Sequence, residues 1–122
     1  VSNFTEQVSL ASVVANTNGD PVNVEGMRGI GIQLEAAAIT KGAGAFTFEA
    51  TIDGTNWVKL YVLITNSTNT IIQGYTRTDL VTLNANGTTI VWLDDAFAAK
   101  AIRVVVEITS DGVYSANVIA RE

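Results

Sequence analysis

Carboxylates stand beside turn residues at three places where chemistry is conceivable. "TIDGTNW" at 51–57 sets Asp53 between β-branched residues and a tryptophan, Asp94 and Asp95 follow "IVWL", and Asp111 lies in "SDG" at 110–112. Acid–base work by Asp53 needs a second carboxylate or a base aimed at the same point, and the sequence specifies none. Calcium takes roughly six to eight oxygens. Asp94 and Asp95 with loop carbonyls and Asp53 or Asp111 could offer some of them, but the D-x-D-x-D-G spacing is absent and strand-end capping is the simpler role.

The chain contains no histidine and no cysteine. That removes the commonest general base and zinc ligand, and with them thiolate and disulfide chemistry. Serine and threonine are plentiful, yet nothing in the sequence activates one as a nucleophile. We therefore expect no enzyme, no cofactor and no metal. "GAGAF" at 42–46 lacks the Lys-Ser/Thr and the following helix of a phosphate loop and reads as a flexible turn. The N-x-S/T triplets at Asn3, Asn66 and Asn86 are chance matches in a chain rich in Asn and Thr.

Seven basic residues oppose twelve acidic ones, for a formal charge of −5. The basic residues are scattered, whereas nucleic-acid binding calls for a basic stripe. No apolar run approaches the ~18 residues of a spanning helix, so no membrane partner is expected. No basic-then-apolar leader is visible at the start. A carbohydrate site would need exposed aromatics beside amides and acids. Tyr75, in a polar stretch, is the candidate for such a residue, while Trp92 is expected in the core.

What positions these residues is a β scaffold. Ile30, Ile32 and Leu34 alternate with Gly31, Gln33 and Glu35. Phe46, Phe48, Ala50 and Ile52 alternate with Thr47, Glu49 and Thr51. Ile102, Val104, Val106 and Ile108 form a third set, and Tyr114, Ala116, Val118 and Ala120 a fourth. A period of two with one apolar face is the pattern of antiparallel sheets. Turn chemistry separates the runs: "TNGDP", "KGAG", "DGTN", "NSTN", "NANG" and "SDG". We expect one domain over residues 1–122, all-β, an antiparallel sandwich of jelly-roll or immunoglobulin-like type with about seven to nine strands. "DDAFAAKA" at 94–101 suits one helical turn, and 65–79 reads as a long loop or an edge strand flanked by loops.

On this scaffold "DGTN" is a four-residue hairpin loop. Asp53 accepts backbone N–H bonds, Gly54 takes the left-handed conformation, and Trp57 opens the return strand, its ring covering the end of the core. Asp111 and Gly112 repeat the logic in a second hairpin. Val105, Val113 and Ile119 are apolar where a monomer would carry charge, which marks them for a subunit interface or a second packed sheet. Residues 1–8 are read as an extended arm anchored by Phe4 and Val8.

The T-x-DGTNW hairpin, the leading "GIGIQLEA", the late "AIRVVVEIT" and the closing "DGVYSANVIARE" resemble small β-sandwich structural proteins of tailed-bacteriophage virions, of the head-decoration and tail-appendage type. The resemblance covers roughly residues 28–64 and 88–122, and 65–87 lies outside it. It implies a virion protein that decorates or cements a capsid, or sits in a tail appendage, with partners such as a major capsid protein. It also implies a homo-oligomer, a trimer by analogy with decoration at threefold positions. The alternatives are a secreted or surface carbohydrate-binding module or adhesin, and a self-assembling filament subunit.

Overall fold

The computed structural model describes residues 4–68, 71–93 and 99–122, and side chains within 5–64, 76–93 and 99–122. Twelve strands are present among them: β1 (Phe4–Val13), β2 (Thr17–Asn18), β3 (Val22–Asn23), β4 (Gly29–Ala37), β5 (Ala43–Thr51), β6 (Val58–Lys59), β7 (Val62–Thr68), β8 (Ile71–Thr78), β9 (Val81–Leu83), β10 (Gly87–Trp92), β11 (Ala101–Thr109) and β12 (Val113–Arg121). One sheet has the order β1-β12-β4-β10-β7-β8; the other runs β2-β11-β5-β6, with β3 also on β11 and β9 also on β5. Every pairing is antiparallel. The fold is all-β and sandwich-like. The strand number exceeds the expected seven to nine because β2, β3, β6 and β9 are two or three residues long, too short to show a period.

The four alternating runs build the core. Ile32, Leu34, Val91, Tyr114, Ala116 and Val118 from the first sheet meet Phe46, Phe48, Ile102, Val104 and Val106 from the second, all essentially buried. Register fixes the faces: Val118 stands opposite Ile32 and Val104 opposite Phe48, so each inward row is apolar across neighbouring strands. A one-residue slip would turn every row to solvent.

The chain changes sheet at nearly every connection. Only β2–β3, β5–β6 and β7–β8 are successive strands of one sheet. The expected second hairpin is thus corrected. β11 and β12 lie in different sheets, so 110–112 is an arch across the sandwich, as is the β4–β5 connection at 38–42. The first hairpin stands, with Glu49 opposite Lys59 and Ala50 opposite Val58. Its loop spans 52–57, wider than the expected four residues, because alternation breaks at its base: Thr51 is buried and Ile52 is 80% exposed. After β6 the chain crosses to the other sheet. Of "GAGAF", expected as a flexible turn, Gly42 ends the β4–β5 connection and residues 43–46 open β5. The stretch 65–79 holds most of the β7–β8 ladder, with β8 as the edge strand. Residues 94–98, with most of the expected helical turn, lie outside the described residues.

The expected arm is also corrected. Phe4 to Val8 pair with Arg121 to Asn117, so residues 4–8 belong to an edge strand of the first sheet; residues 1–3 lie outside the described set. Irregularities at Val8/Leu10 and Leu10/Val13 interrupt this ladder. There Ser9 turns inward, 3% exposed. Its Oγ accepts the N–H of Val104 at 3.0 Å and donates to the Asp20 carbonyl at 2.9 Å. The backbone adds Gly19 N–H to Val104 O and Asp20 N–H to Ser9 O, both 2.7 Å. This latch ties β1 of one sheet to β11 of the other.

Candidate functional site

The hairpin tip is a closed hydrogen-bond system. Asp53 Oδ1 accepts the N–H groups of Thr55 and Asn56 at 2.8 Å and the Thr51 hydroxyl at 3.1 Å, and Oδ2 accepts Asn56 Nδ2 at 2.7 Å. Gly54 has φ +85°, and its N–H donates to Thr51 Oγ1 at 2.9 Å. The Asn56 and Thr55 backbone donors, then the Asn56 and Thr51 side chains, hold the Asp53 carboxyl well below the usual carboxylate range. An acid so committed to being ionised is a poor proton donor or base near neutrality. Its acceptor capacity is spent on the loop.

Trp57 departs from expectation. Its ring lies under the Arg103 guanidinium, 4.2 Å from centroid to Cζ. Arg103 Nε and Nη2 both lie 2.7 Å from Glu49 Oε1. Arg103 and Glu49 face each other across β11 and β5 and alternate with buried neighbours, so the indole is fastened to the outer face of the second sheet and not over the core. The stack is a cation–π contact whose cation is already paired.

Asp111 ties two arches together. Its carboxylate accepts the N–H groups of Thr40 (3.2 Å), Lys41 (3.4 Å) and Gly42 (2.9 Å), a backbone nest filled by the chain's own anion. The Thr40 side chain does most to lower its pKa; desolvation opposes this, and the three backbone donors add to the lowering. Gly112 has φ +114°, and a Cβ there would collide with the Tyr114 hydroxyl. Tyr114 is fully buried, edge-on to Phe46 at 6.0 Å, and its OH donates to the Asp111 carbonyl at 2.9 Å. Desolvation, then the Asp111 charge, pushes its pKa up.

The proposed interface residues are not one patch. Val105 faces outward from the second sheet between Thr47 and Asn18, whereas Val113 and Ile119 face outward from the first. All three are half-buried and point away from the inter-sheet core, so packing of the two sheets does not account for them. Val8 is on the first sheet's edge strand, 52% exposed. Phe4 and Tyr75 have described backbone, in β1 and β8, but their side chains lie outside the described residues, as do Asp94 and Asp95. Among the described residues no three acidic side chains converge as a metal site would require, and no helix is long and apolar enough to cross a membrane.

One surface was not foreseen. Trp92, expected in the core, is 37% exposed on the outer face of the first sheet. Val91 pairs with buried Ile32, which turns Trp92 outward opposite Gly31. Ile119 faces Gly31 from the other side. One row thus reads Ile119–Gly31–Trp92, with no side chain in the middle. The next row sets Arg121 opposite Gly29, and the preceding one sets Asn117 and Ile90 on either side of Gln33. The result is a trough of about 560 Å³ lined by Gly29, Gly31, Gln33, Ile90, Trp92, Ile119 and Arg121, among others. Its walls are two strand spacings apart, roughly 9.5 Å. The signal for it was "GIGIQ" at 29–33, two glycines at outward positions.

The fold itself has a counterpart. The structure is similar along its whole length to the SPBc2 prophage-derived protein YomS, with a TM-score of 0.62 and 15% identity, covering 100% of this chain and 96% of that one. A second solved structure, PirA, aligns at a TM-score of 0.41 and 13% identity over 99% of this chain and 93% of that one, too distant to carry an argument. No protein-family model matches the sequence, and no curated protein matches it significantly.

Proposed function

We propose that this chain is a non-enzymatic structural subunit of a phage virion, decorating or cementing a capsid or forming part of a tail appendage. The observation that carries the reading is the end-to-end likeness of fold to a prophage-derived protein. The chemistry of the surface is compatible with it. The carboxylates of Asp53 and Asp111 are consumed in holding loops. Apolar side chains stand in solvent around the hairpin, with Ile52 80% and Val58 67% exposed. These two flank a depression of about 490 Å³ also lined by Asp53 and Asn56, a feature suited to contact with a neighbouring subunit.

The subunit works as a homo-oligomer, a trimer by analogy with decoration proteins, and gains attachment by avidity: several weak contacts act together once one has formed. No nucleic acid or membrane takes part. The test is to purify particles from the native source, identify their proteins by mass spectrometry and locate this chain by immuno-electron microscopy. Stoichiometric presence at a repeated position on head or tail is the expected result. A chain found only in the soluble fraction, absent from particles, overturns the proposal.

A further inference from the structure

We infer that the trough on the outer face of the first sheet binds a carboxylate-bearing saccharide unit. Three observations lead there. First, its size: about 560 Å³ falls within the roughly 300–1,000 Å³ typical of small-molecule sites, and the missing side chain at Gly31 leaves a flat floor. No φ in the left-handed region demands glycine at 29 or 31, so the backbone does not explain them; at Gly31 the open floor does.

Second, the walls suit a sugar ring. Trp92 offers an indole whose Cδ1 would lie 3.7 Å from a Cβ on Gly31, so the ring borders the floor. Ile90 and Ile119 complete an apolar rim. A pyranose presents C–H groups to such walls and its hydroxyls along its edge, the combination that an aromatic body beside polar groups receives.

Third, the polar groups are unbalanced. Among the described residues Arg121 is the sole charged one lining the trough, in a chain whose net charge is −5. Its side chain lies across Gly29, with Cγ 3.4 Å from where a Cβ would be. Among the described residues its guanidinium has no ion-pair partner. The Gln33 amide donates to Glu35 Oε1 at 3.1 Å, which leaves its carbonyl oxygen as the acceptor. Five guanidinium N–H donors against one amide acceptor is a poor match for a neutral hexose, which brings as many donors as acceptors. It is a good match for a uronate-type ring, whose carboxylate accepts a paired hydrogen bond from Arg121 while a hydroxyl donates to Gln33.

The inference concerns the isolated chain and stands apart from virion residence. The experiment is calorimetric and ligand-detected NMR titration of the full chain with a short oligogalacturonide, with the matched neutral oligosaccharide and a poly-glutamate peptide as the other arms. We expect binding of the oligogalacturonide, weakened more than about tenfold by Arg121→Gln. Trp92→Ala weakens it too, and Gly31→Leu abolishes it by filling the floor. Arg121 is exposed and half-buried Gly31 faces away from the inter-sheet core, so melting temperatures should match wild type. Absence of binding at millimolar oligogalacturonide overturns the inference. So does equal affinity for the neutral sugar, equal affinity for poly-glutamate, or unchanged affinity in both Arg121→Gln and Gly31→Leu.

Discussion

Gly44 and Tyr114 should be strongly coupled in stability, with a sign that the geometry dictates. A Cβ on Gly44 would lie 2.5 Å from Tyr114 Cε1 and 2.6 Å from Cδ1, about 1 Å inside even the near edge of the ~3.5–4.0 Å optimum for carbon contacts. The ring cannot retreat: it is fully buried, against Phe46 on one side and with its OH on the Asp111 carbonyl. Gly44→Ala should therefore cost about 1–3 kcal/mol as overpacking. Tyr114→Ala should cost about 3–5 kcal/mol through lost contacts and a cavity. If the sites were independent, the double variant would lose about 4–8 kcal/mol. Instead the alanine methyl enters the space the ring has left, and the double variant should lose no more than Tyr114→Ala alone. The coupling energy is then about 1–3 kcal/mol, opposing the single effects. Urea unfolding followed by circular dichroism and tryptophan fluorescence measures all four corners of the cycle. A coupling within about 0.5 kcal/mol of zero would refute the packing argument.

Ser9→Ala should lose about 1–3 kcal/mol, because the buried Val104 N–H is left without its acceptor; an unchanged urea midpoint would mean that the inter-sheet latch contributes nothing. Tyr114 has a raised pKa in the folded state, so its contribution is intact below the unfolded value near 10 and is lost as pH rises through the folded one. Tyr114→Phe should remove that alkaline limb from a plot of melting temperature against pH. Asp53 is shifted the other way: its contribution is present above about pH 4 and disappears as pH falls. Asp53→Asn should flatten the acid limb, and a wild-type acid limb in that variant would count against the loop bonds. Arg103→Ala should cost about 1–2 kcal/mol from the lost stack and ion pair and red-shift the Trp57 emission as the indole gains water.

The long strands were legible because their side chains repeat every second residue over nine positions. Ile32, Phe48, Val104 and Val118 could be assigned inward from that alone. Where the repeat failed, so did the reading. "IVWL" offers an apolar residue to both faces, and only the register of β10 on β4 decides that Val91 goes in and Trp92 goes out. Ile52 continued the apolar row of β5 on paper, but Thr51 is the buried residue, its hydroxyl needed by the hairpin loop. Turn chemistry at Asp111 was recognised, yet a turn's sequence does not state which sheet the next strand joins, so an arch was taken for a hairpin. Of the sites, the hairpin bonds of Asp53 followed from residue type. The trough did not, because its members come from three strands and its essential feature is the absence of side chains at 29 and 31.

The strand order carries a consequence for biosynthesis. In the first sheet β12 lies between β1 and β4, and in the second β11 lies between β2 and β5. Strands β11 and β12 are thus the ones that join strands from earlier in the sequence to one another. Until they emerge, β1 has no partner in its sheet and β5 lacks its longest one, so a nascent or prematurely terminated chain holds no complete layer. Such long-range closure belongs to folding in milliseconds to seconds rather than microseconds. A chain cut before β12 therefore loses the strand that carries β1, and with it the continuity of the first sheet.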